Sequence, residues 1–338
     1  MKAVFFPGNR RTEIRDVADP TPGPDEAVLE IRASGICGSD LHTYRSEAGS
    51  PFIIGHEPCG VVAARGAAVD SRTAPEGARM MVHHYDGCRT CRECLSGWTQ
   101  LCEHGSVVYG RTGNGAHARW MRVPARTLVP LPEALSFIEG AAVACGTGTA
   151  YGALRRMGLQ GGETLAVFGQ GPVGQSGTMI GAAMGARVIA ADVDPGRLEA
   201  ARAFGATETL DASEGGAAER VRELTGGRGA AYTLECSGSA DAIVEALRAT
   251  RRWGTVCLVG MGGRPTVNVT DDVIRMQLTI LGSWTFSTIG QADCAAFCAA
   301  HALPVEKLFT HRFALEDAPQ AYRMFDNRET GKAVILPN

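Results

Sequence analysis

Apolar and polar positions alternate with period two over residues 27–33 (Ala-Val-Leu-Glu-Ile-Arg-Ala), which predicts a half-buried strand. Residues 1 to about 35 read as short strands joined by turns. The proline-rich run Asp19-Pro20-Thr21-Pro22-Gly23-Pro24 can form neither helix nor central strand and predicts a surface loop. From about 151 to 284 the pattern changes. Short continuous apolar runs at 165–168, 187–191, 231–236, 254–260 and 278–282 alternate with helical stretches, among them 240–248. That alternation predicts a doubly wound parallel α/β sheet. Residues 127–132 read as turn-rich, and 136–144 as a helix with Glu139 early in it. The tail carries helical patterns at 289–301 and 315–326 and a strand-like run at 332–336. Neither a long-period repeat nor a low-complexity segment is present.

A length of 338 residues suits two domains of ordinary size. An apolar content of 45% with 20% charged residues suits a globular chain with large cores, and the net charge of −3 gives no case for binding nucleic acid or an acidic membrane. The opening Met1-Lys2-Ala3-Val4-Phe5-Phe6-Pro7 is too short an apolar run for a secretory signal, and nowhere do about 18 apolar residues follow one another. We therefore expect a cytoplasmic protein whose thiols stay reduced. Its eleven cysteines are expected to be ligands and core residues rather than disulfides. Cys236 and Cys257, within apolar runs, are expected in the core.

The stretch 165–174, Leu-Ala-Val-Phe-Gly-Gln-Gly-Pro-Val-Gly, reads as a buried strand, a glycine turn and a helix start. Gly169, Gly171 and Gly174 fit G-x-G-x-x-G. The first permits the tight turn, the second lets a pyrophosphate approach the backbone, and the third lets the helix sit close on the strand. The free N–H groups at the helix start, where Pro172 and Val173 stand, then face the phosphates. A second strand ends at Asp192, 18 residues beyond Gly174, near the spacing expected of a carboxylate on the adenosine ribose. Such a carboxylate accepts from both ribose hydroxyls and repels a 2′-phosphate, which favours NAD over NADP. Arg197 nearby pulls slightly the other way. Asp192 can equally open the turn Asp192-Val193-Asp194-Pro195-Gly196.

Two groups of metal-type ligands stand out. Cys88, Cys91, Cys94 and Cys102 lie within fifteen residues. Four thiolates suit one closed tetrahedral Zn²⁺, in a loop with too few apolar residues to fold by burial alone, and an iron–sulfur centre uses the same count. With every position taken by sulfur, that metal is structural. Cys37 and His56 supply two further soft ligands, with the acids Asp40 and Glu57 beside them, and Cys145 is the natural third ligand. Ser39 also fits a helix N-cap, and His42 a surface histidine. His83 and His84 precede the four-cysteine loop, and Tyr109 and Trp284 are either pocket-wall or core residues.

Taken together, Gly35-Ile36-Cys37-Gly38-Ser39-Asp40, Gly55-His56-Glu57, the four-cysteine segment, Cys145-Gly146-x-Gly148-Thr149 and the glycine loop with Asp192 resemble the zinc-dependent medium-chain dehydrogenases, the alcohol and polyol dehydrogenase superfamily. The resemblance spans the whole chain. It implies a mainly-β GroES-like catalytic domain over 1–150 with a structural zinc lobe at 86–103, a Rossmann NAD-binding domain over 151–284, and a return of 285–338 to the catalytic domain. It implies two zinc ions per chain, the catalytic one on Cys37, His56 and Cys145, with Glu57 as alternate ligand or close neighbour. Asp40 would orient the ligand histidine. Ser39 and His42 would form a proton relay, an imidazole exchanging protons near neutral pH. Thr149, Ser237 and Val259 join the glycine loop, Asp192 and Arg197 as cofactor-binding positions. Cysteine at 145, where the sorbitol branch carries glutamate, points away from a close sorbitol dehydrogenase relative. His84 falls at a substrate-pocket position, where a polar residue favours a substrate with extra hydroxyls; His83 and His84 equally fit hydrogen bonding within a strand. The implied activity is hydride transfer between NAD and a secondary alcohol of polyol, sugar or cyclitol type, with no nucleic-acid or membrane partner, in a homodimer or homotetramer. A reductase working mainly on carbonyls, or a non-catalytic homologue, are the alternatives.

Overall fold

Strand Glu26–Ile36 is the spine of one half of the chain. In this computed structural model, which describes residues 1–337, it is longer than its alternating core predicts. Glu30 and Arg32 reach outward, while Ala27, Leu29 and Ile31 pack with Val62, Met80, Val82, Met121 and Val123. Strands Glu57–Arg65 and Trp120–Pro124 both pair antiparallel with it. Strand Lys332–Leu336, from the far end of the chain, takes its last turn of pairing, with Ala333 opposite Ile36 and Ile335 opposite Ser34. Val334 and Ile335 are fully buried there, each contributing about 1.5–3 kcal/mol of apolar burial. The tail is thus an integral strand of the sheet and not an appendage.

This seven-stranded sheet runs Phe309–Ala314, Lys332–Leu336, Glu26–Ile36, Glu57–Arg65, Arg79–Val82 and Leu128–Pro130, with Trp120–Pro124 beside Glu26–Ile36. Residues 128–130 differ from the turn-rich reading of that passage. Leu128 and Val129 pair with Val82 and Met81, and Pro130 is tolerated because the strand lies at the edge of the sheet. Helix Phe137–Val143 begins with a capping box, in which Ser136 accepts from the Glu139 N–H and Glu139 accepts from the Ser136 N–H. The last helix, Ala318–Asp326, starts later than its periodicity suggests, because Leu315–Asp317 tightens into a 3₁₀ turn before Pro319. These elements belong to one compact unit, Met1–Gly148 with Ser287–Asn338.

The second unit, Thr149–Phe286, is a six-stranded parallel sheet. Its strands stand in the order Glu208–Asp211, Arg187–Asp192, Thr164–Phe168, Ala230–Glu235, Thr250–Leu258, Thr279–Gly282. With the strands numbered along the chain this is 3-2-1-4-5-6, so the order reverses between the strands that end at Phe168 and Glu235, where doubly wound sheets bind their ligands. Near-continuous apolar strands follow from helices covering both faces. Ala166, Phe168, Ile189, Val256, Ile243 and Leu247 build one such core. Cys257 is fully buried within its strand, whereas Cys236 falls one residue past the end of Ala230–Glu235 and is only half-buried. All eleven cysteines are unpaired. Among the described residues, no helix is long and apolar enough to cross a membrane.

Candidate metal centre and nucleotide site

Strand Glu26–Ile36 ends directly at Cys37, and Glu57 opens the strand that pairs beside it, with His56 as the residue before. Cys145 follows helix Phe137–Val143, which packs on the same two strands. These connections bring Cys37, His56, Glu57 and Cys145 together, each offering a ligand atom within 4.8 Å of the others. The two sulfurs are 3.9 Å apart. The contact with Cys145, together with nearby His56, holds the Cys37 thiol well below its ordinary value, and the same contact and burial push Cys145 well above. Two sulfurs this close, one of them favouring the thiolate, stand where a divalent cation binds two thiolates. Burial opposes a charge on His56, but Asp40 and Cys37 outweigh it and raise the imidazole well above its usual value. Asp40 Oδ1 lies 2.8 Å from His56 Nδ1, so Nδ1–H donates to the carboxylate and Nε2 is left as the ligand nitrogen.

Glu57 supplies the sharpest test of fit. Its Oε2 is paired with the Lys332 ammonium, while Oε1 is buried with no hydrogen-bond partner. A buried carboxylate oxygen with no donor is costly unless a cation completes it. Burial pushes the Glu57 carboxyl up and Lys332 holds it back down. Two sulfurs in contact, an oriented imidazole and an orphaned carboxylate oxygen together fit Zn²⁺. From sequence, Lys332 is only the first residue of the strand-like run at 332–336. A lysine opening an otherwise apolar terminal run was the available signal.

Ser39 precedes helix Asp40–Arg45 but its side chain makes no capping bond. Its hydroxyl instead lies 3.4 Å from both Cys37 Sγ and His56 Nε2. His42 is exposed on the same short helix. His84 is buried, its ring centre 5.1 Å from that of His56. The Ala144 carbonyl, 3.0 Å from His84 Nδ1, can only accept, so Nδ1 carries the proton and Nε2 is the acceptor nitrogen. Tyr109 belongs to the core around Leu29 and Met121. His83 lies beneath helix Thr288–Ala300, 3.1 Å from Gln291.

The second ligand group stands apart. Cys88, Cys91, Cys94 and Cys102 hold their sulfurs within 4.8 Å of one another. Backbone N–H groups of Thr90 and Cys91 and the Thr90 hydroxyl point at Cys88 Sγ, and the Cys88 N–H points at Cys102 Sγ. The donors around Cys88, the Thr90 hydroxyl first, bring its thiol down to about 5. Gly87 is required beside them, since a Cβ there would lie 2.4 Å from Cys94 Sγ.

In the parallel-sheet unit the three loop glycines have three different reasons to be glycine. Gly169 has φ +84, and a Cβ on it would meet Ser237 at 2.8 Å. A Cβ on Gly174 would collide with the Gly169 carbonyl. Gly171, by contrast, has nothing within 4 Å of its missing Cβ, so its bareness leaves space beside the backbone. It is the N-cap of helix Pro172–Ala183, which Pro172 and Val173 open. Asp192 ends its strand and accepts from the N–H groups of Gln170 and Asp194, with Arg197 Nη1 3.9 Å away. The carboxylate thus both opens its turn and ties that turn to the glycine loop. Ser237 donates to Glu235, and the Val259 N–H donates to the Glu235 carbonyl, around the point where the strand order reverses. Thr149 is buried in the helix Gly146–Met157.

Residues 23–133 match the alcohol dehydrogenase GroES-like domain and residues 172–300 the zinc-binding dehydrogenase domain. An uncharacterized zinc-type alcohol dehydrogenase-like protein of Escherichia coli strain K12, YphC, is 37% identical over 99% of this chain and 98% of its own length. Sorbitol dehydrogenase of Bacillus subtilis is 30% identical over 100% of this chain and 98% of its own. The alcohol dehydrogenase TADH of Thermus sp. ATN1 superposes with a TM-score of 0.91, covering 99% of both chains at 30% identity.

Proposed function

Because this chain belongs to the zinc-dependent medium-chain dehydrogenases, whose GroES-like and Rossmann folds it has, we propose that it oxidises a secondary alcohol of polyol, sugar or cyclitol type with NAD. The alcohol loses a hydride to NAD⁺ and a proton to the protein, giving ketone, NADH and H⁺. The observation that carries this reading is the convergence of Cys37, His56 and Cys145 with the orphaned oxygen of Glu57.

When bound there, Zn²⁺ supplies Lewis acidity toward a hydroxyl or carbonyl oxygen, and the nicotinamide supplies the hydride acceptor. The chain's own residues do the rest. Asp40 fixes the tautomer and direction of His56. Ser39, whose hydroxyl already lies against the ligand atoms, takes the proton of the alcohol, and exposed His42 passes it to solvent. The support for a polyol-like substrate over a simple alcohol is the polar side chain of His84 at a pocket position, its ring 5.1 Å from that of His56. The likeness to a sorbitol dehydrogenase agrees with that class.

At the other site Gly171 gives the pyrophosphate its approach to the start of helix Pro172–Ala183, and Asp192 receives the adenosine ribose. The second zinc, in the four-cysteine loop, is structural. Strand Thr279–Gly282 lies at the edge of its sheet with Ile280 exposed, and we assign that edge to pairing in a homodimer or homotetramer.

An NADH-fluorescence screen over secondary alcohols, sugars, polyols and cyclitols, run beside metal analysis, tests the reading. Two zinc ions per chain and turnover of a polyhydroxy substrate are expected. A single zinc, confined to the four-cysteine loop, would remove the basis for alcohol activation.

A further inference from the structure

Behind the metal ligands runs a chain of buried polar side chains from distant parts of the sequence. Asp40, which holds His56, also accepts from Tyr322 of the last helix, whose hydroxyl is 3.2 Å from Asp40 Oδ2. Tyr322 Oη lies 2.8 Å from His117 Nε2, and His117 Nδ1 lies 2.7 Å from Ser34 Oγ. Ser34, His117 and Tyr322 are all fully buried.

The proton positions follow from what each group can do. A carboxylate accepts only, so Tyr322 must spend its single O–H on Asp40. Its oxygen then accepts from His117 Nε2–H, which fixes that tautomer. His117 Nδ1 is consequently an acceptor, and the Ser34 hydroxyl donates to it. The sequence is Ser34 O–H to His117, His117 N–H to Tyr322, Tyr322 O–H to Asp40, and His56 N–H to Asp40. Each member has one allowed direction, and the chain ends with His56 Nδ1–H held by Asp40, so Nε2 is the nitrogen turned toward the ligand sulfurs. Gly55 makes the close approach possible, since a Cβ there would lie 2.4 Å from the His117 ring.

We propose that Tyr322 and His117 are positioning residues of the metal centre, holding Asp40 and through it His56 in the ligating orientation. This rests on the assignment of zinc to Cys37, His56 and Cys145. The Cys37 N–H also donates to Asp40 Oδ2, so removing the tyrosine hydroxyl leaves one of two anchors on that oxygen. A packing role alone would leave Asp40 and the metal untouched by loss of one hydroxyl.

The test is zinc affinity of the full-length protein, read by competition with a chromogenic chelator, together with the visible spectrum after Co²⁺ replacement. The four-cysteine zinc serves as internal control. Tyr322→Phe should weaken the Cys37/His56/Cys145 site about tenfold, at the low end of what loss of an outer partner costs a metal site, and shift the Co²⁺ bands, while the control keeps its affinity. If Tyr322→Phe does not fold, His117→Gln and His117→Phe replace it. Glutamine keeps a donor toward Tyr322 and should hold zinc near the parent affinity, whereas phenylalanine should lose about tenfold. Tyr322→Phe with parental affinity and spectrum, or equal affinity in the two His117 variants, overturns the proposal while leaving the functional reading intact. A parent protein that binds zinc only in the four-cysteine loop overturns both.

Discussion

The Lys332 ammonium lies 2.5 Å from Glu57 Oε2, and both side chains are almost completely shielded from water. The two residues stand 275 positions apart and meet because Lys332–Leu336 pairs with Glu26–Ile36, beside which Glu57 also lies. Breaking a buried pair by removing one partner is far costlier than replacing both, because the survivor is left as an uncompensated charge. Lys332→Met should therefore destabilise the apo protein by about 3–5 kcal/mol in denaturant titration. The double variant Lys332→Met/Glu57→Gln should recover most of that loss. A double variant no more stable than the single would show that the pair is not the source of the effect.

Cys145→Ala and His56→Ala should each abolish turnover while dinucleotide binding and the four-cysteine zinc persist. Both side chains sit in the metal group and neither belongs to the parallel-sheet unit. Metal content should fall from two zinc ions to one. Turnover retained by either variant would disprove its role as a ligand.

Asp192→Ala should raise the KM for NAD and reduce discrimination against NADP. Arg197, 3.9 Å from the carboxylate in the parent, would then be available to a 2′-phosphate. The carboxylate also ties Gln170 to its turn, so some loss of affinity for both cofactors is expected. Kinetics with both cofactors decide the matter, and a parent that already prefers NADP would contradict the ribose assignment.

Cys91→Ser should release the loop metal and lower stability before it alters chemistry. Helix Arg92–Leu95 is too short to stand alone, and its fold depends on the sulfurs around it. The expected pattern is a lower melting temperature with near-normal kcat in the molecules still folded. Selective loss of activity at unchanged stability would argue against a structural metal.

His83 predicts a pH dependence. Burial brings its imidazole down to about 4, partly offset by Gln291, while in the unfolded chain it titrates near ~6.5. The unfolded state therefore binds the extra proton between these values. The contribution of His83 is fully present above about pH 6.5 and is lost as pH falls toward 4, amounting to about 3 kcal/mol. His83→Gln should flatten the stability–pH curve in that window. An unchanged slope would place the titration elsewhere.

What the sequence alone determined were the features carried by local spacing. The four cysteines lie within one loop, the glycine turn and Asp192 within one βαβ unit, and the alternation of apolar runs prescribes a parallel sheet whichever partner each strand finds. Local geometry and short-range sterics suffice for these. Helix 136–144 was legible for the same reason, because its capping box is written in two residues three apart. Cys37, His56 and Cys145 were legible as ligand types, but their meeting was a matter of resemblance until two strands and a helix were laid side by side. Only the tertiary structure decided the partners without a fixed spacing: Lys332 against Glu57, Gln291 against His83, and Tyr322 and His117 behind Asp40. A side chain's hydrogen-bond partner across hundreds of residues is set by strand register and helix docking, which depend on the whole core at once. A tyrosine in an amphipathic helix, or a histidine after a glycine-rich turn, looks the same in sequence whether it packs against leucine or completes a buried chain of protons.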